Sequence, residues 1–505
     1  MSEPQLPAVG DSGSWRRRLP AAPRLRRLPF RPAPDVVRIV FVWVAWLAII
    51  CTFQIVVQAR LEPQRPDAVL AWTPNETSQA VPPADGTGCR PRLADPNMNE
   101  HVAFDSEYYI SIAVAGYDDP QAQAYVSSDG HVINLGVPTC TAGMDGWTPL
   151  DYAFMPGYPI AMKGVMAAVG VVPGPSSLTQ NGLATLAGII VSALGGLLAM
   201  LALARLMAFL ERRRKPAAAD GSEAAKAGAA EPAASPSPWG GAHGLRAGLY
   251  LLVFPTGFYL AQVYTEGLFI GLAFMACALA VEKKVVVAAI FAVLAALTRQ
   301  AGVFLFIPLA WAAFQIYRDG QSRPKGWRIG VPIVAALAPV ATFGAWFFSP
   351  LGQNWQTVEK EFFSRSFDIP KSLDLWGKAW DSLISGMDKT APAGGYALFG
   401  GGALPSSTTV YLSLEFVAVA LGVVACVWLL RRMPGVALFG FAVIVLSAGS
   451  AGAQGMDRYV LAVPAIFLML ASFGRCDVFD RAWVMASTLL MGMLAMLFTF
   501  GFWVS

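Results

Sequence analysis

An all-α polytopic membrane protein is the fold class that this sequence predicts. Three observations predict it. Hydrophobic residues make up 55% of the 505-residue chain, charged residues make up only 14%, and the apolar residues come in long runs. Soluble domains carry roughly 25% charged residues, because they need a charged surface. Runs such as Leu183–Leu210 and Ala482–Val504 have the ~20-residue length that spans hydrocarbon as a helix. The formal net charge of +4 is too small to point to a nucleic-acid partner, and none is expected.

The elements follow in order. Residues 1–36 hold seven arginines (Arg16, Arg17, Arg18, Arg24, Arg26, Arg27 and Arg31) among prolines, a basic tail that the positive-inside rule places in the cytoplasm. Residues 37–59 are the first transmembrane helix, too long for the apolar part of a cleaved signal peptide. Residues 60–182 form an extracytoplasmic loop that is far longer than an ordinary connection. Within it, Tyr158–Val172 reads as a short re-entrant or interfacial helix. The helix Leu183–Leu210 must return to the cytoplasm, because Glu211–Lys215 (ERRRK) closes it, so nothing between can be a full crossing. Residues 183–348 are transmembrane helices, interrupted by a flexible Ala/Ser/Pro/Gly-rich cytoplasmic linker at 211–244. A second extracytoplasmic loop covers 349–407, and C-terminal transmembrane helices cover 408–505. About eleven crossings result, over 37–59, 183–210, 245–263, 267–281, 285–297, 302–317, 329–348, 409–430, 435–450, 459–473 and 482–504. The basic clusters then alternate onto one side. No internal repeat is visible, which speaks against a transporter built on inverted repeats.

Six cysteines without a CxxC pair argue against a metal cluster. Cys51, Cys277, Cys426 and Cys476 fall in or beside apolar runs, as inert core residues do. Cys89 and Cys140 share the first long polar segment and form a natural disulfide pair if it faces an oxidising compartment.

Several charged groups sit where membrane helices meet the outer interface. Glu266 lies in the hairpin Tyr264-Thr265-Glu266-Gly267, and Arg299 in the short turn Leu297-Thr298-Arg299-Gln300. Asp457-Arg458-Tyr459 opens a helix, and Asp105 and Glu107 lie in Phe104-Asp105-Ser106-Glu107-Tyr108-Tyr109. Each could be a snorkelling interface residue, and Asp457-Arg458 a local ion pair. Their convergence on one bilayer face points instead to a functional cavity. Arginine offers fork-shaped donors to a phosphate, and a carboxylate offers a base for a hydroxyl. A lipid phosphate in the outer leaflet suits both. The second long loop adds Trp355, Trp376 and Trp380 with interleaved lysines, a pattern of the headgroup zone; tryptophans also stack on sugar rings.

These segments resemble the PIG-V-like mannosyltransferases, members of the GT-C class of polytopic glycosyltransferases. The resemblance is carried, in family order, by Phe104–Tyr117 (FDSEYYISIAVAGY), Phe154–Pro159 (FMPGYP), Phe254–Leu268 (FPTGFYLAQVYTEGL), Leu297–Gly302 (LTRQAG) and Arg458–Pro464 (RYVLAVP). Phe104 precedes the acid where the family commonly has Trp, and the first outer loop is enlarged. The resemblance implies a GT-C-like fold and a polyprenyl-phosphate sugar donor, with mannose the expected sugar. It further implies a lipid or glycolipid acceptor, an extracytoplasmic active site and inversion at the anomeric carbon. On this reading Asp105 is the general base, with Glu107 in reserve. Arg299 and Arg458 bind the donor phosphate, and Tyr264, Glu266, Asp457 and Tyr459 line the cavity. Phosphate leaves without protonation, so no cofactor is required; a divalent cation would fit the Asp105-Ser106-Glu107 spacing without being needed. The alternative from another class is a lipid-linked sugar transporter or flippase, which calls for polar groups deep along a path. A non-catalytic scaffold subunit is the third. The Ala/Gly/Arg-rich composition suggests a GC-rich bacterium, hence a plasma membrane.

If the 60–152 loop is extracytoplasmic, mass mapping without reductant should find Cys89 joined to Cys140. The closed loop should add roughly 4 kcal/mol of stability. Two free thiols in the mature protein would refute the pairing.

Overall fold

The structure is a computed structural model that describes residues 33–61, 96–118, 124–127, 132–134, 147–172, 178–214, 237–319, 326–362, 367–385, 405–451, 455–500 and 504. Cys89 and Cys140, the expected disulfide, lie outside these residues, as does most of the 211–244 linker. The chain divides into Met1–Ala33 and Pro34–Ser505, and the second unit holds every element named below.

The chain is a polytopic helical membrane protein. Its helices are α1 (Pro34–Leu61), α2 (Ser106–Val114), α3 (Gly157–Val169), α4 (Gln180–Arg214), α5 (Gly241–Leu252), α6 (Thr265–Val281), α7 (Val285–Thr298) and α8 (Phe306–Asp319). They continue with α9 (Gly326–Phe347), α10 (Pro350–Glu361), α11 (Ile369–Ser385), α12 (Pro405–Leu430), α13 (Pro434–Ala451), α14 (Met456–Tyr459), α15 (Pro464–Phe473) and α16 (Asp477–Thr499). Among the described residues six helices are long and apolar enough to cross a membrane, and a seventh span is a bent pair, Met456–Ala462 with Pro464–Phe473. Large apolar side chains point outward from these helices, as in Phe41 (72% exposed), Val334 (70%) and Leu489 (69%). A soluble helix would hide them, whereas lipid solvates them.

The other four expected crossings fall on shorter or broken helices. The segments 267–281, 285–297 and 435–450 are the short apolar helices Thr265–Val281, Val285–Thr298 and Pro434–Ser450. The 17 residues of α6 still extend about 25 Å along its axis. The segment 245–263 does not form one helix. It stops as α5 at Leu252 and resumes as a 3₁₀ turn at Gly257–Ala261. Pro255, between them, has no N–H to donate and biases Phe254 away from helical geometry. The same rule acts at Val463, which is extended (φ −99°, ψ 95°) before Pro464, where the bent pair turns by 83°.

The segment 158–172 forms α3, whose 13 residues rise only about 20 Å, too short for a full crossing. The apolar residues Ile110, Ile112, Ala113 and Val114 that follow Asp105 also predict a short helix, lying on the membrane surface. It forms as α2, but seven of its nine residues are buried, so it is a core element. A small antiparallel sheet departs from the all-α expectation. Its strands β1 (Ala124–Ser127), β2 (Val132–Asn134) and β3 (Trp147–Pro149) have the order β2-β1-β3, with Tyr125 opposite both Ile133 and Pro149. Val126 of the sheet packs with Tyr108, Leu150 and Val358, which seats α10 over α2.

The basic clusters expected on one side do gather at one end of the bundle. Arg205 pairs with Glu282, Arg475 with Glu211 at 3.1 Å, and Arg213 donates to the Arg432 carbonyl at 3.1 Å. At the other end of α6 the chain must come very close to α4. A Cβ on Gly195 would stand 2.2 Å from the Gly267 carbonyl oxygen, and one on Gly271 would stand 2.4 Å from the Gly195 carbonyl oxygen. Gly267 and Gly271 are one turn apart, the small-residue spacing that lets membrane helices touch backbone to backbone.

Gly195→Val should therefore push α4 from α6 and lower stability by about 1–3 kcal/mol or more. Thermal unfolding in detergent checks this, and an unchanged midpoint would contradict the backbone contact.

Candidate active site

Four charged side chains from four separate segments meet in one cavity of about 130 Å³. Asp105, Glu266, Arg299 and Arg458 all line it. Each stands at a place where a helix starts, stops or breaks.

Asp105 precedes α2 and follows Phe104, whose φ of 54° lies in the left-handed region. That conformation is costly for a bulky aromatic residue and persists only where packing enforces it. Here Phe104 is buried in the main core. An aspartate at a helix start usually caps the helix with its own side chain. Asp105 makes no such bond; instead its Oδ2 faces Arg458 Nη1 at 3.6 Å, and its side chain is 27% exposed. The stretch before it is tied to the start of α6. Val263 N–H donates to the His101 carbonyl at 3.2 Å, and the Tyr264 hydroxyl donates to the Ala103 carbonyl at 3.0 Å.

Glu266 sits in the first turn of α6, after an extended Tyr264 (φ −139°, ψ 153°). The helix dipole favours a carboxylate there. Its side chain is 3% exposed, and its Oε1 accepts a bond from Arg299 Nη1 and lies 3.4 Å from Arg458 Nε. One carboxylate thus bridges two guanidiniums. Arg299 is an extended residue (φ −149°, ψ 145°) between α7 and the 3₁₀ turn Gln300–Leu305, and it also donates to Thr265 Oγ1 at 3.3 Å. Arg458, 5% exposed, lies on the one-turn helix α14. Aromatic faces surround both cations. Tyr459 stands 5.3 Å from each guanidinium, and Tyr259 and Tyr264 stand 5.5 and 5.4 Å from Arg458. Such faces stabilise a cation without neutralising it.

The expected residues therefore divide. Asp105, Glu266, Arg299, Arg458 and Tyr459 line the cavity together. Tyr264 is not in the lining but lies behind it, buried, with its hydroxyl used on the Ala103 carbonyl. Glu107 is buried on α2 and is not in the lining either, because residues two apart on a helix point about 200° apart. Asp105 and Glu107 consequently do not face one cavity as a metal-binding pair. Among the described residues no group of three or more His, Cys, Asp and Glu side chains is placed to hold a metal ion. Asp457 also lies outside the lining and is buried.

Beside Asp457 is a residue that sequence reasoning missed. Glu415, fully buried in α12, accepts the Gly455 N–H at 2.9 Å and the Asp457 N–H at 3.0 Å. A carboxylate from another helix thereby caps the one-turn helix that presents Arg458. Gly455, at φ 73°, supplies the left-handed start that this turn needs. Thr256 Oγ1 donates to the Asp457 carbonyl at 2.9 Å, so the α5 break and the α14 break brace one another. A signal for Glu415 was present, since an acid inside an apolar span is functional or structural by default.

The ordered segments singled out in the sequence also converge. Phe154 stacks on Tyr108 at 5.0 Å and meets Tyr109 edge-on at 4.9 Å. The Tyr158 hydroxyl bonds to Gly188 and Ser192, and Ser192 Oγ donates to the Tyr264 carbonyl at 2.8 Å. A Cβ on Gly157 would stand 2.7 Å from the Leu297 carbonyl oxygen, so Phe154–Pro159 packs directly on Leu297–Gly302.

No family model and no curated protein sequence matches the chain. Among solved structures it is similar to the oligosaccharyltransferase of Archaeoglobus fulgidus in the apo form. The identity is 13% and the TM-score 0.38, over 92% of this chain and 56% of that one. The same enzyme tethered with an acceptor peptide containing the NVT sequon gives 13% and 0.38, over 91% and 55%. In complex with an inhibitory peptide and a dolichol-phosphate it gives 13% and 0.36. The chain thus spans about half the length of these structures. Likeness this distant carries no functional weight.

Glu266→Gln should leave two guanidiniums without their shared counter-charge and destabilise the protein by about 3–5 kcal/mol. Glu415→Gln keeps one acceptor of two and should cost about 1–3 kcal/mol. Thermal unfolding of both variants in one detergent checks the order. A smaller loss for Glu266→Gln than for Glu415→Gln would contradict the bridging role.

Proposed function

We propose that the chain is a membrane glycosyltransferase of GT-C type. It transfers a sugar, with mannose the expected one, from a polyprenyl-phosphate-linked donor to a lipid or glycolipid acceptor. Transfer takes place on the extracytoplasmic face of a plasma membrane with inversion of the anomeric centre. The observation that carries this reading is the meeting of Asp105 with Arg299 and Arg458 in one cavity.

The charge balance suits the reaction. Asp105, Glu266, Arg299 and Arg458 sum to zero, and Glu359 adds a further carboxylate to the lining. A donor phosphodiester brings one negative charge to the arginines. In the transfer the acceptor hydroxyl gives its proton to Asp105 while its oxygen bonds to the anomeric carbon. The bond from that carbon to the phosphate oxygen breaks, and its electron pair leaves with the phosphate. The departing phosphate gains one negative charge as Asp105 loses one, so the total charge in the cavity stays constant. A base placed within reach of the hydroxyl and cations placed where negative charge develops are the two terms that most lower such a barrier. Arg458 lies 3.6 Å from Asp105 and 3.4 Å from Glu266, so its charge stays close to Asp105 as that group is neutralised and can stabilise the phosphate that gains the charge.

The test uses purified protein with polyprenyl-phosphomannose and candidate lipid acceptors. Asp105→Asn should retain donor binding and lose turnover by ~10²-fold or more, with Glu107→Gln milder. Arg299→Ala and Arg458→Ala should weaken donor binding more than acceptor binding. If Asp105→Asn keeps normal turnover, Asp105 is not the base. Unchanged donor affinity in both arginine variants would remove the phosphate assignment.

A further inference from the structure

A second cavity lies at the far end of α6. Glu266 stands in the first turn of that helix, whereas Ala280 and Val281 in its last turn line the second cavity. The helix rises about 21 Å between Glu266 and Ala280, so the two cavities sit at its opposite ends. Arg213 lines the second cavity from the end of α4, and Arg432 from the turn between α12 and α13. Trp311 and Gln315, four residues apart on one face of α8, complete its polar lining. Its space is about 20 Å³, room for one or two waters or for the inner oxygens of one oxyanion.

No carboxylate is among these lining residues. Other cations at this end are already matched, Arg205 by Glu282 and Arg475 by Glu211. Arg213 and Arg432 are held differently, and among the described residues neither has a carboxylate within 4 Å. Arg213 rests on the Phe209 ring at 4.7 Å and donates to the Arg432 carbonyl at 3.1 Å. Arg432 rests on the Trp428 ring at 4.6 Å and donates to the Trp428 carbonyl at 3.1 Å. Rings and carbonyls fix both guanidiniums without cancelling their charge.

Neutral donors join them. The Trp311 indole Nε1 is buried, with no hydrogen-bond partner among the described residues. A buried donor without an acceptor is costly, and an oxygen entering the cavity would relieve it. The start of α13 is also in the lining, through Gly435 and Val436. First-turn N–H groups have no acceptor inside their own helix, and the helix dipole favours an anion beside them. A Cβ on Gly435 would stand 3.0 Å from Trp311 Cβ, so this helix start packs directly on the residue that carries the unused indole.

These groups together suit a phosphate oxyanion. The helices that carry them also expose apolar side chains, Phe314 on α8, Val427 on α12 and Leu438 on α13. A phosphate attached to acyl chains would use both features, whereas a free phosphate would use only the first. Basic pockets between the ends of spanning helices take anionic headgroups in this way. We infer that this cleft binds the phosphate of an anionic phospholipid, at the opposite end of α6 from the four-charge cavity. Such a site is independent of the chemistry proposed for the first cavity.

The full chain in an uncharged detergent is titrated with phosphatidylglycerol, phosphatidylcholine and inorganic phosphate, with bound ligand counted by native mass spectrometry. Phosphatidylglycerol should bind about tenfold more tightly than phosphatidylcholine, whose choline cation opposes the arginines, and inorganic phosphate should bind more weakly still. Arg213→Gln and Arg432→Gln should each weaken phosphatidylglycerol binding by about tenfold. Trp311→Phe keeps the ring and removes the N–H, and should weaken it by about threefold. Arg431→Gln makes the same charge change at an exposed neighbour outside the lining and should stay within about twofold. Arg213 and Arg432 are exposed, so their loss leaves the core intact, and thermal unfolding without lipid reports that directly. Equal binding by wild type, Arg432→Gln and Trp311→Phe would overturn the inference. So would an equal loss in Arg431→Gln, which would reduce the cleft to a generally basic surface. Inorganic phosphate that binds as tightly as phosphatidylglycerol would overturn the lipid assignment in favour of a soluble phosphate.

Discussion

A single carboxylate held between two guanidiniums governs the architecture around the site. Glu266 is almost wholly buried, accepts from Arg299 and faces Arg458 at 3.4 Å. A charge at membrane depth is costly alone, and a partner repays that cost only with close geometry and further hydrogen bonds. Arg458 alone would be a buried cation, Arg299 a half-buried one, and Glu266 alone a buried anion. Their mutual need pins the start of α6, the α7–α8 turn and α14 to one point. The pinning extends to Asp105 through Arg458, and so to α2 and the loop before it.

Bringing four charges to one point requires the chain to stop being helical there. A continuous helix hides its backbone groups and offers only its flanks, whereas helix ends and breaks let short segments of several helices converge on one place. The chain therefore breaks at Phe254–Thr256, at Arg299, and at Val463. Backbone groups freed within a membrane need partners, and these breaks have them. Glu415 takes two N–H groups of the α14 turn, Thr256 bonds the Asp457 carbonyl, and Ser192 bonds the Tyr264 carbonyl. The close glycine contact between α4 and α6 supplies the rigid floor. The irregular region is thus held by hydrogen bonds and close packing rather than left loose.

The cavity that results has two chemically different sides. One holds both arginines, paired with Glu266 and Asp105 and faced by aromatic rings, and is built by α6, α14 and the α7–α8 turn. The other is an amphipathic helix, α10, laid over the opening and seated by the small sheet and by Leu150 and Tyr108. The proposed transfer, from an anionic lipid-linked donor to a neutral acceptor, would use that asymmetry. Uniform positive charge would hold both the donor and its product phosphate too tightly to turn over.

Much of this was legible in the amino-acid sequence. Long apolar runs dictate spanning helices by length and hydropathy alone, and α1, α4, α9, α12 and α16 lie where those runs are. The basic clusters predict one common end, and the pairing of Arg475 with Glu211 and of Arg213 with the Arg432 carbonyl brings them together. Asp105, Glu266, Arg299 and Arg458 stood out because several ionisable groups at helix ends converge on one face, which snorkelling of single residues does not explain. Tertiary structure alone decided the rest. Residue spacing does not say that Glu266 faces both arginines, or that Glu107 turns away from Asp105's cavity. It does not say that Tyr264 spends its hydroxyl on a carbonyl, or that only one of three tryptophans enters the site. Those outcomes depend on which helices approach within touching distance and with what rotation. Contacts between segments hundreds of residues apart set both, and no local pattern records them.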